Sequence, residues 1–377
     1  MNILHISNGF ANSKVHSNLT AALDKMGVEQ TVYCPVREEQ LLGRNQFEGK
    51  HIHFVYSLCI KSWYKYVYHI KKWMLYRDLR KRIDLNSFDI VHAGTLFSDG
   101  GLALMVYKRY GIPYIVAVRN TDINFYIRKL VHTHKVGREI LLNASKIVFI
   151  SKSEMNEFLD SHFVDPIIDK IKSKILVQPN GIDDYWIDHI SNEKRIGQNV
   201  LYIGDYSANK NVIRLIEAVK KLRKEEGFEN VCLKIVGGEK IGNVWNNDDI
   251  TKKVINDNSD FVEPLGKIYD KDKLSEVMHS CALFAMPSIL ETFGLVYLEA
   301  LSQNLPVIYT KGQGIDGMFD NSVGIAVDAL SVDDISRAIR EMMLHPDHYT
   351  NRNIDFGEFR WDEIAKRYKS MYDIYLK

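Results

Sequence analysis

Short apolar runs alternate with longer stretches of helical periodicity from one end of the chain to the other, and this alternation restricts the fold most. In the first half the sequence predicts strands at 2–7, 31–34, 89–93, 114–118, 146–151 and 175–179. Helical patterns follow at 15–27, 100–111 and 153–163. Continuously apolar strands that are connected by helices are typical of a mainly parallel, doubly wound α/β sheet.

The same pattern restarts in the second half. Strands are predicted at 199–204, 230–237, 281–287, 306–310 and 324–328, with helices near 211–224, 271–279, 295–303 and 332–343. A chain of 377 residues is longer than one core usually supports. We therefore predict two Rossmann-like domains that face each other across a cleft.

The domain boundary is predicted from the polar, aperiodic segment 191–198, which has the character of a linker. It gives an N-terminal domain at 1–190 and a C-terminal domain at 191–357. Apolar residues recur at helical spacing in 358–377, so this last segment should be an amphipathic closing helix that crosses back to the N-terminal domain.

Charge and composition limit the partners. Residues 1–190 contain 25 lysines and arginines against 19 acidic residues, while the remainder contains 24 against 29. The N-terminal half is therefore the better candidate for an anionic partner.

The four cysteines lie far apart, and neither a signal peptide nor a window of about 18 apolar residues is found. We expect a cytoplasmic protein whose membrane contact, if any, is peripheral.

The segment 61–82 is rich in both cations and aromatic residues, with eight Lys and Arg, one Asp, two Trp and four Tyr. One interpretation is a surface helix whose aromatic stripe packs on the N-terminal domain. The other is an interfacial helix attracted to the anionic headgroups of a membrane surface. Binding of nucleic acid is not expected, because no base-reading module accompanies the segment.

The stretch SILETFGLVYLEA (288–300) places two acids around the start of a predicted helix that follows a buried strand. Ligands of open α/β sheets bind at this edge, and Gly294 would let a phosphate approach the first-turn amides. Glu291 and Glu299 would lie about 80° apart even in an unbroken helix. They are therefore expected to bind hydroxyls of different parts of one elongated ligand, such as a nucleotide sugar. The alternative is that Glu291 assists capping and Glu299 is solvated.

The stretch 287–310 resembles the Glu-x7-Glu signature of retaining glycosyltransferase family 4, whose members have the GT-B fold. Four more segments resemble motifs of this family in the same order along the chain: 118–123, 178–183, 201–211 and 264–288. The resemblance covers nearly the whole chain. It implies an α/β architecture of two Rossmann-like, doubly wound domains facing across a cleft, with the nucleotide sugar in the second domain and the acceptor in the first.

The resemblance also implies roles for individual residues. Glu299 matches the acid on the ribose, Glu291 the acid near the transferred sugar, and Lys210 the lysine on the diphosphate, where developing negative charge needs stabilisation. Other positions matched to the donor site are Thr292, Phe293, Gly294, Leu295, Gly204, Asp205, Gly266 and, in the first domain, Gly9.

Two positions depart from the family pattern. Asp205 replaces an arginine of the phosphate clamp, so Lys210 alone or Arg119 from across the cleft would have to supply the cation. Arg119 itself replaces a histidine, and arginine cannot act as a base at neutral pH. Asp122 is the remaining first-domain candidate for orienting the acceptor or the sugar; its alternative role is to cap a following helix.

These observations predict a retaining, metal-independent glycosyltransferase that uses a UDP- or GDP-sugar as co-substrate and needs no other cofactor. The acceptor would be a glycan or a lipid-linked carrier in bacterial polysaccharide or glycoconjugate biosynthesis.

Asp270 and Asp272 imitate a metal-binding Asp-x-Asp, but Asp270 is expected to cap a helix. The main alternative is a catalytically inactive glycosyltransferase-like subunit. An epimerase or phosphorylase fits the spacing less well, and a dehydrogenase would need a GxGxxG after a strand.

Overall fold

The computed structural model describes residues 1–61, 63–64, 67–195, 197–238 and 248–375. The chain forms two compact units. The N-terminal unit contains Met1–Ile150, Glu154–Gly181 and the segment from Glu358 onward, and the C-terminal unit contains Ser151–Ser153 and Ile182–Gly357. The division after Gly181 precedes the predicted boundary at 190, because the short helix at 184–188 is anchored to the C-terminal unit. There the Tyr185 hydroxyl donates to Asp272 at 2.6 Å.

The N-terminal unit is built on a parallel sheet of seven strands in the order β3-β2-β1-β4-β5-β6-β7. The strands are β1 (Asn2–Ile6), β2 (Glu29–Val36), β3 (Ile52–Leu58), β4 (Ile90–Ala93), β5 (Tyr114–Ala117), β6 (Lys146–Phe149) and β7 (Ile175–Val177). The chain adds strands on one side of β1 and then continues on the other, so the strand order reverses between β1 and β4. Every residue of β4 and β5 is buried, as expected for a parallel sheet with both faces covered.

Helices along the first part of the chain cover this sheet. They are α1 (Lys14–Lys25), α2 (Tyr68–Arg82), α3 (Ser98–Tyr110), α4 (His134–Asn143), α5 (Lys152–Leu159) and α6 (Ile168–Ile171). Ser13 caps α1 by accepting from the Val15 amide, and Gly111 ends α3 in the left-handed conformation, which glycine adopts without steric cost.

The C-terminal unit contains a six-stranded parallel sheet in the order β10-β9-β8-β11-β12-β13. Its strands are β8 (Asn199–Asp205), β9 (Cys232–Gly238), β10 (Val262–Gly266), β11 (Leu283–Ala285), β12 (Val307–Thr310) and β13 (Gly324–Val327). Its helices are α7 (Asp184–Asp188), α8 (Val212–Leu222), α9 (Asp248–Asn256), α10 (Lys271–His279), α11 (Leu295–Ser302) and α12 (Val332–Leu344). Here the order reverses between β8 and β11. Asp270 caps α10 by accepting from the Lys273 amide, which confirms its predicted role.

The last helix, α13 (Trp361–Asp373), belongs to the N-terminal unit. It packs with α1 on one face of the sheet, where Ile364 and Tyr368 join a buried cluster with Leu23 and Ile115. The chain thus leaves the N-terminal unit after Gly181 and returns to it at Glu358.

Two strands, β3 and β10, were not predicted, and both lie at sheet edges. Most β3 residues are only partly buried and polar residues interrupt the run, so it lacks the continuous apolar pattern of an interior strand. In β10, Glu263 and Pro264 are exposed, and proline is tolerated in a strand only at an edge or bulge.

The segment 61–82 contains the predicted helix as α2, while Ser62, Lys65 and Tyr66 lie outside the described residues. The inner face of α2 is buried through Tyr68, Leu75 and Leu79, which confirms packing on the N-terminal unit. None of the described helices has the length and apolar character needed to cross a membrane.

Candidate active site

The predicted donor residues of the C-terminal unit lie where the parallel strands end, most of them around the reversal between β8 and β11, whereas Gly266 ends the edge strand β10 two strands away from β8. Gly204 and Asp205 end β8, and Gly266 ends β10. Lys210 follows β8 and Glu291 follows β11. In doubly wound folds such a reversal leaves a crevice for ligands, because the two connecting loops diverge to opposite faces.

Lys210 and Glu291, which are 81 residues apart, meet at this edge: the Lys210 Nζ lies 2.6 Å from the Glu291 Oε2. The side chains are 23% and 11% exposed, so the pair is poorly screened by water. The Glu291 amide donates to the Gln313 Oε1 at 3.2 Å, and its carbonyl accepts from the Gly314 amide at 2.9 Å. The loop after β12 therefore fixes the backbone of Glu291 while Lys210 fixes its carboxylate.

Two asparagines beside Lys210 hold the loops on either side of the reversal. Asn209 donates to the Leu290 carbonyl at 2.9 Å and accepts from the Leu290 amide at 3.0 Å. Asn211 is buried and donates to the carbonyls of Pro287 at 2.9 Å and Ala329 at 2.7 Å. Its backbone has φ +59°, a left-handed conformation that asparagine tolerates better than most residues. Sequence reasoning missed both residues, although Asn211 at the start of a predicted helix was a signal.

Gly294 precedes α11 with φ +77°, in the left-handed region. A Cβ at this position would lie 2.5 Å from the Tyr297 ring, which is buried and fixed by donation from its hydroxyl to the Met286 carbonyl at 2.5 Å. Glycine is therefore required both for conformation and for space. Beside it, Phe293 is buried and Thr292 is half-buried. Leu295 begins α11, whose first-turn amides favour an anion.

Glu299 is half-buried in the second turn of α11. Burial raises the pKa of its carboxyl to about 7, the negative charge of Asp183 adds to the rise, and Lys271 opposes it. Asp183 and Lys271 themselves form an ion pair, with Nζ 2.6 Å from Oδ2. Glu299 thus changes its protonation state near neutral pH, and a ligand that donates hydrogen bonds would favour the ionised form.

Asp205 is the position that the resemblance matches to an arginine of the phosphate clamp. Its Oδ1 accepts from the Ser207 amide at 3.0 Å, and its carbonyl accepts from the Tyr202 hydroxyl at 2.7 Å. The aspartate therefore stabilises the turn that leads to Lys210. It adds no positive charge at this edge.

In the N-terminal unit, Gly9 and Asp122 line a cavity of about 550 Å³ together with Lys71 and Tyr126. The Asp122 carboxylate accepts from three backbone amides: Leu96 at 2.9 Å, Phe97 at 3.1 Å and Arg119 at 3.0 Å. The alternative role as a cap of the following helix is wrong, because a cap accepts from the residues after it and these three precede Asp122. Burial raises the pKa of this carboxyl to about 6 although the amide donors oppose the rise.

Asp99 makes a similar connection and was missed by sequence reasoning. It accepts from the Asn8 amide at 3.2 Å and from the Thr95 hydroxyl at 3.0 Å. Asn8 follows β1 and Thr95 follows β4, so Asp99 joins the two loops at the reversal of this sheet. Asp122 then joins the loop after β5 to the loop after β4.

Arg119 is half-buried at the end of β5. Its guanidinium group lies close enough to the Tyr368 hydroxyl to oppose the rise of the Tyr368 pKa that burial causes, and its buried Nη1 has no hydrogen-bond partner within the described part of the chain. Burial, and after it the positive charge of Arg119, lowers the pKa of His16 to about 3. The His16 ring in turn lies beside Gly9, where a Cβ would be 3.3 Å from Nε2. The N-terminal unit therefore brings Gly9 and Arg119 into one neighbourhood that has an unused hydrogen-bond donor.

Two family models match consecutive parts of the chain. The model described as Glycosyltransferase Family 4 matches residues 14–185, and the one described as glycosyl transferases group 1 matches residues 187–355. The chain belongs to the family 4 glycosyltransferases. With its two parallel-sheet units, this glycosyltransferase has the GT-B fold of two Rossmann-like domains, as predicted.

Known proteins resemble the glycosyltransferase over much of its length. An uncharacterized glycosyltransferase of Methanocaldococcus jannaschii is 22% identical over 303 residues, which cover 79% of each chain. A D-inositol 3-phosphate glycosyltransferase of Stackebrandtia nassauensis is 25% identical over 279 residues, covering 68% of this chain and 60% of the relative. The structure of the Anabaena protein HepE in complex with UDP superposes with a TM-score of 0.71 at 15% identity, covering 99% of this chain and 100% of HepE. At this identity HepE establishes the likeness of fold alone.

Asn211 offers a test of how the loops of the C-terminal unit are held. Asn211→Ala should destabilise the chain by about 2–4 kcal/mol, because it removes two buried hydrogen bonds and places alanine in the left-handed region. Asn211→Gly loses the same bonds without the conformational cost, so it should be about 1 kcal/mol less destabilising than alanine. Urea unfolding of the three proteins measures both differences. A loss below about 0.5 kcal/mol in both variants would contradict this role for Asn211.

Proposed function

We propose that this glycosyltransferase moves a sugar from a UDP- or GDP-sugar to a glycan or lipid-linked acceptor, with retention of anomeric configuration and without a metal ion. The acceptor would belong to bacterial polysaccharide or glycoconjugate biosynthesis. The observation that carries the proposal is the contact of Lys210 with Glu291 beside the N-terminus of α11. A cation, a carboxylate and free helix amides at one sheet edge suit a diphosphate joined to a sugar.

In this proposal the donor extends along α11. Glu299 accepts hydrogen bonds from the ribose hydroxyls, the α11 N-terminus and Lys210 bind the diphosphate, and Glu291 accepts from hydroxyls of the transferred sugar. The complex of HepE with UDP supports a uridine nucleotide. Gly204 and Gly266 contribute backbone without side-chain bulk at the same edge.

Transfer then breaks the bond between the anomeric carbon and the oxygen of the β-phosphate and forms a bond from that carbon to an acceptor hydroxyl on the same face. The hydroxyl proton passes to an oxygen of the departing diphosphate, so no protein base is required. Lys210 and the helix amides stabilise the charge that grows on the leaving group. Arg119 is the candidate for a second cation, since its Nη1 has no acceptor among the described residues.

The acceptor is proposed to bind the N-terminal unit, in the cavity lined by Gly9 and Asp122. A lipid-linked acceptor would require contact with a membrane surface. We assign that contact to the segment 61–82, in which Trp63, Trp73 and Ile70 are about half exposed although they are large and apolar. The enzyme would then work as a peripheral protein at the inner face of the cell membrane.

A catalytically inactive subunit remains the second candidate function, because Asp205 and Arg119 replace two residues of the family pattern. Asp205 stabilises a turn and leaves Lys210 as the one predicted cation of the phosphate clamp in the described part of the C-terminal unit. Such a protein would bind a nucleotide sugar without transferring the sugar.

Thermal unfolding with UDP and GDP tests the donor class. One nucleotide should stabilise the chain, by about 2.7 kcal/mol when its concentration is a hundred times its dissociation constant. Lys210→Met should reduce this effect, whereas Lys220→Met on the exposed side of α8 should leave it unchanged. Absence of stabilisation by either nucleotide at millimolar concentration would reject the donor assignment.

Glu291→Ala tests catalysis. It should lower transfer, or hydrolysis of the donor before an acceptor is known, by about 10²–10³-fold if the carboxylate acts mainly in the transition state. The affinity for the nucleotide should be unchanged or higher, because Lys210 loses its partner and becomes available to the diphosphate. Glu276→Ala, an exposed glutamate of α10, is the control. Wild-type turnover in Glu291→Ala would exclude the assignment, and nucleotide binding without turnover in the wild type would favour the inactive subunit.

The raised pKa of Glu299 predicts a pH dependence of nucleotide binding. The ionised carboxylate accepts hydrogen bonds from the ribose hydroxyls. The affinity for the nucleotide should therefore fall by up to about tenfold as pH decreases from about 8 to about 6. The phosphate of the nucleotide titrates equally in all variants, so the ratio of dissociation constants between wild type and Glu299→Gln isolates this effect. Without ligand, the contribution of Glu299 to stability is present below about pH 4.5 and is lost as pH rises through about 7. A ratio of dissociation constants that stays constant between about pH 8 and about pH 6 would contradict the assignment of Glu299 to the ribose.

A further inference from the structure

A groove between α2 and α3 of the N-terminal unit collects positive charge outside the sites described above. Four cations line this groove of about 530 Å³: Arg77, Arg80, Lys81 and Arg109. No carboxylate is among the lining residues. A concave surface with cations of one sign raises the local concentration of anions.

These cations are not engaged by acidic side chains. In the described ranges none of the four forms an ion pair; the nearby Asp78 is bound instead by Arg82 at 3.0 Å and by the Tyr33 hydroxyl at 2.8 Å. Arg77 lies over the Trp73 ring at 5.7 Å and Arg80 over the Tyr76 ring at 5.8 Å. These contacts with aromatic rings do not use the N–H groups of the two guanidinium groups, so their hydrogen-bond donors stay available.

The Tyr76 hydroxyl is a buried polar group of the same groove. Tyr76 is 8% exposed, and no described residue accepts from or donates to its Oη. Both Arg80 and Arg109 line the groove together with Tyr76, and their charges oppose the rise that burial and Tyr110 cause in the pKa of this phenol. A buried hydroxyl without a partner costs free energy, and an anion bound between the two arginines would accept its hydrogen bond.

The exposed surface next to the groove is apolar. Ile70, Trp73 and Met74 are 50%, 52% and 38% exposed, and their spacing places them on one side of α2 with Arg77. Large apolar side chains that border a cationic groove fit a ligand with a phosphate and an acyl chain. A soluble phosphate ester would bind the cations but would leave Ile70, Trp73 and Met74 exposed to water.

We propose that the groove between α2 and α3 binds the phosphate headgroup of an anionic membrane lipid. The Tyr76 hydroxyl donates to a phosphate oxygen, Arg80 and Arg109 pair with the same phosphate, and Ile70, Trp73 and Met74 enter the interfacial layer. Access requires the Arg80 side chain, which lies over the Tyr76 ring, to turn towards the ligand. The inference rests on the proposed membrane contact of 61–82 and is independent of sugar transfer.

Sedimentation with phosphatidylcholine vesicles, with and without phosphatidylglycerol, tests the site. The full chain should bind only the vesicles that contain phosphatidylglycerol. Tyr76→Phe keeps the charge and shape but removes the donor, and it should weaken this binding about tenfold. Arg109→Gln should weaken it to a similar extent, whereas Arg44→Gln, an exposed arginine outside the groove, should remain within about twofold of the wild type.

The outcomes separate this site from the broader proposal. Vesicle binding that Tyr76→Phe and Arg109→Gln leave unchanged would overturn the phosphate site while retaining the membrane contact. No binding by the wild type would overturn both, and the thermal shift with UDP or GDP would still report on the donor site. Binding of glycerol 3-phosphate or an RNA oligonucleotide that depends on Tyr76, without vesicle binding, would reject a lipid as the occupant. Should Tyr76→Phe fold poorly, Arg109→Gln, which changes an exposed side chain, decides the test.

Discussion

The reversal of strand order in each parallel sheet is the constraint on which both candidate sites depend. Where β1 adjoins β4 and β8 adjoins β11, the loops on either side diverge and leave backbone amides and carbonyls without strand partners. Side chains satisfy some of them: Asn211 donates to the Pro287 carbonyl after β11, and Asp122 accepts from the Leu96 and Phe97 amides after β4. Because buried backbone groups must be paired, these side chains determine where the functional loops lie.

The interior of each sheet could be predicted from the sequence, whereas one edge strand of each sheet could not. Strands such as β4 and β5 are buried throughout, and continuous burial produces the apolar runs from which they were predicted. The edge strands β3 and β10 have one open side, so exposed polar residues and a proline are tolerated there and the apolar signal is lost. Hydrophobic patterning identifies a strand where its residues are continuously apolar, as in β7, an edge strand that is only partly buried but was predicted.

A similar limit applies to the site. The loop after a buried strand and the glycine before α11 were evident from the order of residue types, and the left-handed conformation of Gly294 confirms that position as the helix start. The contact of Lys210 with Glu291 depends on β8 and β11 being neighbours, which no local pattern encodes. Asn211 and Asp99 look like ordinary polar residues at the start of a helix until their partners are known, since a single polar residue has the same appearance in solvent and in a buried network.

The ion pair of Lys210 with Glu291 has a consequence for selectivity under the proposed function. An anion that enters the ligand-free site must compete with the Glu291 carboxylate for Lys210, and loss of one partner from a poorly solvated pair is costly. Inorganic phosphate offers Lys210 a replacement but offers Glu291 nothing, because it supplies no hydroxyl donors to the carboxylate at the position of the sugar. A nucleotide sugar replaces both partners at once, with its diphosphate on Lys210 and its hydroxyls on Glu291. The pairing that neutralises the site when it is empty therefore favours the complete donor over its anionic fragments.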